Sequence, residues 1–322
     1  MPDKPKVGFY WCASCGGCEE SVVDLAENIL DVVQAVDIMF WPVAMDFKKS
    51  DVETMPDGAL TVTFINGAIR NSEQEEMAHL LRKKSAYIIA FGSCAHLGGI
   101  PALANEFEKE EILRYVYEDA PSMSHGTKPY PNPETKINGH TLTLPEMHNV
   151  VRTLDQVIDV DYYIPGCPPA PKLLSAAVTA LLTGNLPPKG AVLAPSTALC
   201  EECPKKDTKP EDLHFTEFKR PHLVKIDPEK CLLAQGIICM GPATRSGCEA
   251  RCISGNMPCS GCFGPTPHVI DQGAKMLSAI SSSINATTDS EIDTTLASIP
   301  DPLGTFYRYG LAGSLLRRKL TN

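Results

Sequence analysis

Thirteen cysteines, and the places where they fall, constrain this chain more than any other feature. Five are spread between Cys12 and Cys167, and eight crowd between Cys200 and Cys262. An exported protein can lock its thiols in disulfides. The start here, MPDKPKVGFYWC, shows no basic region, no apolar stretch and no twin arginine, so a cytoplasmic protein is expected. In a reducing compartment, clustered cysteines bind metal or carry out redox chemistry. The count is odd, so the thiols cannot all pair. A chain of 322 residues, 43% of them hydrophobic, also builds a core without disulfide staples.

The setting of the thiols follows from the pattern around them. Lys6–Trp11, Val36–Phe40, Ala59–Ile65, Ser85–Phe91 and Val160–Ile164 read as short apolar strands. Between them, Ser21–Val33 has helical spacing. Ser72, with Glu75 as capping-box partner, opens a helix to about Lys83, and Pro171–Leu182 forms another that stops at Gly184. Near-continuous apolar strands alternating with helices imply a parallel sheet covered on both faces. The expected fold class is α/β: a flavodoxin-like, doubly wound parallel sheet over residues 1–185. Between the fourth and fifth strands, Glu106–Glu118 reads as a helix. Ala120–His148 is rich in turn formers and reads either as a surface excursion or as a partner-docking arm. Beyond the Leu186-Pro187-Pro188 linker, residues 186–322 are expected to form a smaller, irregular, ferredoxin-like domain. Its cysteine-rich part has too few apolar runs to hold itself together without bound metal.

In the first domain each cysteine group follows a strand. Cys12, Cys15 and Cys18 follow the first, Cys94 the fourth and Cys167 the fifth. In an open α/β sheet the carboxyl edge is where ligands bind, so residues far apart in sequence converge there. Four thiolates from three loops suit a [4Fe–4S] cluster or structural zinc. Gly16, Gly17, Gly92 and Gly166 let main chain approach the sulfurs. Cys12-x2-Cys15-x2-Cys18 opens like a bacterial ferredoxin run but continues Glu19-Glu20-Ser21-Val22, so the run is incomplete. Spacing alone leaves open which of the three is spare. The second domain carries Cys200-x2-Cys203, Cys231-x7-Cys239, Cys248-x3-Cys252 and Cys259-x2-Cys262, enough for two four-thiolate sites. Zinc modules set two compact pairs within about 15–20 residues, and these irregular spacings fit iron–sulfur ligation better.

At these residues the chain resembles a family. Cys15-Gly-Gly-Cys18-Glu-Glu-Ser21, Gly92-Ser-Cys94, Pro165-Gly-Cys-Pro168 and the eight-cysteine tail are similar to the small, electron-transferring subunit of [NiFe] hydrogenases, over nearly the whole length. Residues 231–245 and 257–265 look most like the methyl-viologen-reducing type, which feeds heterodisulfide reductase. The resemblance implies three [4Fe–4S] clusters. Cys15, Cys18, Cys94 and Cys167 match the proximal ligands, which leaves Cys12 spare. Cys248, Cys252, Cys259 and Cys262 match the medial set, and Cys200, Cys203, Cys231 and Cys239 the distal set. Cys252 supplies a thiol where many exported relatives have proline and a three-iron cluster.

The resemblance also implies partners: a nickel-bearing large subunit and a downstream carrier, expected in the heterodisulfide reductase system. Small subunits of deazaflavin- or NAD(P)-reducing or energy-converting hydrogenases are the alternative, and a zinc-stapled scaffold without redox work is the rival from another class. The family's nickel motifs, R-x-C-G-x-C and D-P-C-x-x-C, are absent, so no catalytic residue is expected in this chain. Neither G-x-x-x-x-G-K-[ST] nor G-x-G-x-x-G occurs, so no nucleotide or flavin is expected. The net charge of −10, without a basic stripe, argues against nucleic acid, and no apolar run reaches the ~20 residues of a membrane span.

Some other residues carry two readings each. Glu19 and Glu20 either solvate a helix start or face the large subunit or a proton path. His96 is a ring N–H donor toward the cluster or a solvated cap. Arg245 pairs with cluster charge, with the partner, or in a local salt bridge. Arg317-Arg318-Lys319 reads as a solvated tail.

Overall fold

The computed structural model describes residues 4–124, 130–299 and 301–317. The strands, in chain order, are β1 Lys6–Trp11, β2 Asp37–Phe40, β3 Leu60–Asn66, β4 Ile69–Asn71, β5 Ser85–Phe91, β6 Glu134–Ile137, β7 His140–Thr143, β8 Met147–Arg152, β9 Tyr162–Ile164 and β10 Ala191–Val192. Six of them form one parallel sheet in the order β10-β9-β5-β3-β1-β2. The first strand lies between the second and third, which is the flavodoxin-like winding with its switch point between β1 and β3. The expected α/β class is observed. The sheet also takes in β10, past residue 185.

The strands are apolar on both sides because both faces are covered. On one face Phe9, Phe64, Ile89, Phe91 and Ile164 pack against Val22 and Leu25, Leu174 and Ala177. Val22 belongs to α1 (Gly17–Val23), and Leu174 and Ala177 to a helix over Pro171–Thr183. On the other face Leu60, Ile65, Ile88 and Ala90 meet Met77, Ala78 and Leu81 of the Ser72–Lys84 helix. A third core joins Leu199, Phe215, Ile237, Met276 and Phe306 of the C-terminal half to Ala68, Ala102 and Val151 of the first half, so the two halves share apolar contact. Among the described residues, no helix is long and apolar enough to cross a membrane.

Local structure departs from the sequence reading at identifiable places. The helix expected over Ser21–Val33 is two helices, α1 and α2 (Ile29–Ala35), split where Ala26 takes φ 51°. The cap of the Ser72–Lys84 helix is Asn71, not Ser72. Its side chain accepts from the Gln74 amide, and Gln74 reaches back to the Asn71 N–H. The Glu106–Glu118 segment is a 3-10 turn (Ile100–Glu106), a short α-helix (Lys109–Arg114) and a π turn (Tyr115–Asp119). The turn-rich insertion contains regular structure: β6 and β7 form a hairpin through Asn138 and Gly139, both at positive φ, and β8 pairs antiparallel with β4. Residues 125–129 of that insertion, and Arg318 and Lys319 of the basic tail, lie outside the described residues.

Candidate metal centre

Strand register prepares the site. Trp11, Asn66, Phe91 and Ile164 are partners in one row across β1, β3, β5 and β9. The next residues on these strands, Cys12, Gly67, Gly92 and Pro165, begin the loops. Main-chain bonds carry the ladder a step further: Cys12 N–H to the Asn66 carbonyl at 2.7 Å, Gly92 N–H to Ile164 at 2.8 Å and Ser93 N–H to Gly166 at 2.8 Å. The loops therefore leave the sheet level with one another, and Cys15, Cys18, Cys94 and Cys167 come within electrostatic reach of each other. Burial pushes the Cys94 thiol up to about 12, and the Cys167 and Cys15 sulfurs push the same way. Cys18 is raised by burial and then by Cys94, Cys167 and Cys15. Cys18 and Cys94 are buried, while Cys15 and Cys167 open to the surface.

Two glycines make this convergence sterically allowed. Gly92 sits at φ 85°, and a Cβ there would overlap Cys18 Sγ. Gly99 sits at φ 60°, and its Cβ would overlap Cys94 Sγ. Cys12 goes elsewhere. Strand alternation puts it on the face of Tyr10, where it is 4% exposed among Phe40, Ile65, Ile69 and Ile88.

Glu19 corrects the reading of a solvated helix start: it is 4% exposed. Its carboxylate accepts from Trp41 Nε1 at 2.9 Å and from Asn66 Nδ2 at 2.9 Å. Asn66 Oδ1 in turn accepts from Ser14 Oγ at 2.8 Å. This network pins the Cys12–Cys18 loop to the end of β3, and burial raises the Glu19 carboxyl against its two donors. Glu20 is exposed.

The other eight thiols form two further groups. Cys200 lies in reach of Cys239, Cys203 and Cys231, and burial pushes it up to about 11. Cys248, Cys252, Cys259 and Cys262 line one small pocket together with Leu199, Ile253 and Phe263. Burial raises Cys239, Cys248, Cys259 and Cys262 above the ordinary thiol range, and main-chain amides oppose it: those of Gly241 and Cys259 for Cys239, of Ala250 and Arg251 for Cys248, of Gly261 for Cys259, and of Cys167 for Cys262. The Cys259 N–H reaches Cys239 Sγ at 3.3 Å. Among the described residues, no three His, Cys, Asp or Glu side chains meet closely enough to hold a single metal ion.

His96 is half-buried against the Tyr163 ring, 4.6 Å between centroids, with its Nδ1 buried, and burial pushes it down to about 4. Arg245 makes no ion pair among the described residues; its Nη1 donates to the Pro195 carbonyl at 3.0 Å and the side chain is 5% exposed. Sequence reasoning missed Ser93. It is 1% exposed and its hydroxyl donates to the Cys262 carbonyl, a partner that no local motif signals.

A profile described as "NADH ubiquinone oxidoreductase, 20 Kd subunit" matches residues 15–181. An F420-non-reducing hydrogenase iron–sulfur subunit of Archaeoglobus profundus is 38% identical over 318 residues, 98% of each chain. An F420-non-reducing hydrogenase subunit of Methanothermobacter thermautotrophicus is 40% identical over 323 residues, 99% of this chain and 98% of that one. Among solved structures, a chain of the [NiFeSe]-hydrogenase of Dm. baculatum superposes with TM-score 0.50 at 20% identity. The match covers 83% of this chain and 96% of that one, and it shows a shared fold.

Proposed function

The chain belongs to the family of F420-non-reducing hydrogenase subunits that these two full-length relatives represent, and from that membership we propose that it is the iron–sulfur electron-relay subunit of a cytoplasmic [NiFe] hydrogenase. What supports the reading is that Cys15, Cys18, Cys94 and Cys167 lie in electrostatic reach of one another, Cys200 in reach of Cys203, Cys231 and Cys239, and Cys248, Cys252, Cys259 and Cys262 on one pocket, with Cys12 buried among apolar side chains. The donor sets fit [4Fe–4S] clusters: four thiols each, main-chain amides directed at sulfurs, and apolar cover. Cys15, Cys18, Cys94 and Cys167 would hold the proximal cluster, Cys248, Cys252, Cys259 and Cys262 the medial one, and Cys200, Cys203, Cys231 and Cys239 the distal one. When bound, the clusters supply one-electron carriers between a partner's hydrogen site and a downstream acceptor.

The chain's own residues hold, space and shield those sets. Residues 1–185 carry the first, and 186–322 the other two. The carboxyl edge of the sheet exposes Cys15 and Cys167, and Trp11 at the end of β1 and Val43 and Met45 beyond the end of β2 are exposed too. This apolar rim supports a large-subunit seat there, and the exposed β6–β7 hairpin extends it. The Cys200 set would face the next carrier, for which the heterodisulfide reductase system is the leading candidate. The names of the full-length relatives favour an acceptor other than F420.

The test is anaerobic purification of the native complex, with metal, sulfide and partners measured. Three four-iron clusters require roughly 12 Fe and as much acid-labile sulfide per chain, together with a co-purifying subunit that carries both nickel-ligand motifs. Zinc without acid-labile sulfide would overturn the reading in favour of a structural scaffold. A complex with the Cys200 set against the nickel subunit would reverse the proposed direction.

A further inference from the structure

The first thiol set and the Cys248–Cys262 set approach each other at one place, and a side chain closes it. The Cys167 amide faces Cys262 Sγ, and the two sulfurs feel each other's charge. Ser93 stands over this junction with three attachments. It is covalently next to Cys94. Its N–H donates to the Gly166 carbonyl at 2.8 Å, fixing the residue before Cys167. Its hydroxyl donates to the Cys262 carbonyl. Two loops of the first set and one ligand of the second are thus tied through a single residue. At 1% exposure Ser93 is shielded from bulk solvent.

The next junction is closed mostly by main chain. There Cys259 N–H reaches Cys239 Sγ at 3.3 Å, and Met240 N–H returns to the Cys259 carbonyl at 2.9 Å. The Thr244 hydroxyl adds a side-chain tie, donating to the Met240 carbonyl at 2.6 Å and hydrogen-bonding Cys259.

We propose that Ser93 is a positioning residue that sets the separation between the Cys15/Cys18/Cys94/Cys167 set and the Cys248/Cys252/Cys259/Cys262 set. The inference rests on the relay reading above. Its consequence is geometric. Without the hydroxyl, Cys262 loses its side-chain tie to the Cys94 loop and keeps only the Cys167 amide toward its sulfur, while every sulfur ligand remains. The two sets then sample a range of separations instead of one.

The experiment compares wild type, Ser93→Ala, Ser93→Thr and Ser93→Cys in the anaerobically purified complex. Iron is counted per chain, and the spin–spin splitting between reduced clusters is read by electron paramagnetic resonance. Dipolar splitting falls with the cube of separation, so it reports spacing rather than occupancy. Ser93→Thr keeps a hydroxyl and is expected to keep the wild-type splitting. Ser93→Ala is expected to lose resolved splitting with iron unchanged. Ser93→Cys, with its weak S–H donor, is expected to fall between. Wild-type splitting in Ser93→Ala overturns the proposal. Loss of iron from Ser93→Ala beside a fully loaded Ser93→Thr also overturns it, because the hydroxyl would then hold ligands rather than space them. If Ser93→Ala yields no folded chain at all, Ser93→Cys decides in its place: reduced splitting supports the proposal, and wild-type splitting refutes it. A wild type without iron and sulfide would instead sink the relay reading itself, which keeps the two failures apart.

Discussion

Replacing Gly92 with alanine would strike the first thiol set without removing a sulfur. Gly92 takes φ 85° and ψ 169°, a region that residues with a Cβ scarcely enter. Holding alanine there costs about 1–3 kcal/mol. The added methyl also overlaps Cys18 Sγ and stands 3.3 Å from the Gly166 carbonyl oxygen. Relieving such an overlap in a packed site costs about another 1–3 kcal/mol. The sum, roughly 2–6 kcal/mol, is a large share of a domain's ~5–15 kcal/mol of stability. The easiest relief is rotation of the Cys18 sulfur away from Cys94 and Cys167, so the penalty falls on the first set. The assay is iron and acid-labile sulfide per chain in the purified complex. Gly92→Ala is expected to lose roughly four of about 12 irons. Gly139→Ala is the control. Its φ of 81° is also positive, but the added methyl meets open space at a hairpin turn, and full iron is expected. Full iron and sulfide in Gly92→Ala, with an unchanged spectrum, would refute the argument that this glycine gives Cys18 its place.

Cys12→Ala should keep full iron and lose about 1–2 kcal/mol of stability, since a small apolar group leaves a packed pocket beside Phe40 and Ile65. Iron loss in this variant would put Cys12 among the ligands. Asp161 makes a separate, pH-linked prediction. Burial pushes its carboxyl up, but Lys189 and Arg82, each at 2.5 Å, and the Ile88 amide at 2.8 Å outweigh this and hold it below the ordinary carboxylate range. A folded pKa below the unfolded one contributes stability that is present above about pH 4 and lost only as pH falls through the lowered value. Asp161→Asn should therefore cost about 3 kcal/mol, read as the urea midpoint by tryptophan fluorescence, and cost the same at pH 5 as at pH 7. A penalty already fading at pH 5 would mean that burial wins and the carboxyl is raised.

The parts of this fold that showed in the sequence are those where one residue type repeats with one cause. Ser85–Phe91 is apolar throughout because both its faces are covered, and its bounds were readable to the residue. The edge position of Cys94 and Cys167 followed from the strand ends before them. The insertion was different. Every residue of β6 and β7 is exposed, so no buried face imposes an alternation to detect. The break at Ala26 was hidden because apolar spacing continues on both sides of it. Asn71 competed with Ser72 as a cap, and only the reciprocal bonds of Gln74 decide between them. Spacing could not select the odd thiol among Cys12, Cys15 and Cys18, because the choice depends on which sheet face a side chain meets. Arg245 read as ion-paired in sequence, but it is buried and donates to the Pro195 carbonyl 50 positions away, a partner no local window contains.

The hydrogen bond between Ser93 and Cys262 spans 169 positions of chain, and that distance is also a delay. A ribosome adding about 5–20 residues per second needs roughly 10–30 s to go from one partner to the other. From Cys167 onward in that interval every cysteine of the first thiol set has been made, while Cys262, the later partner of Ser93, has not. The three sets are thus completed in an order imposed by synthesis: the sheet-edge set at Cys167, the next at Cys239 and the last at Cys262. A nascent chain in this state presents four clustered thiols ahead of their neighbours. Oxidation during translation would therefore find the sheet-edge set first.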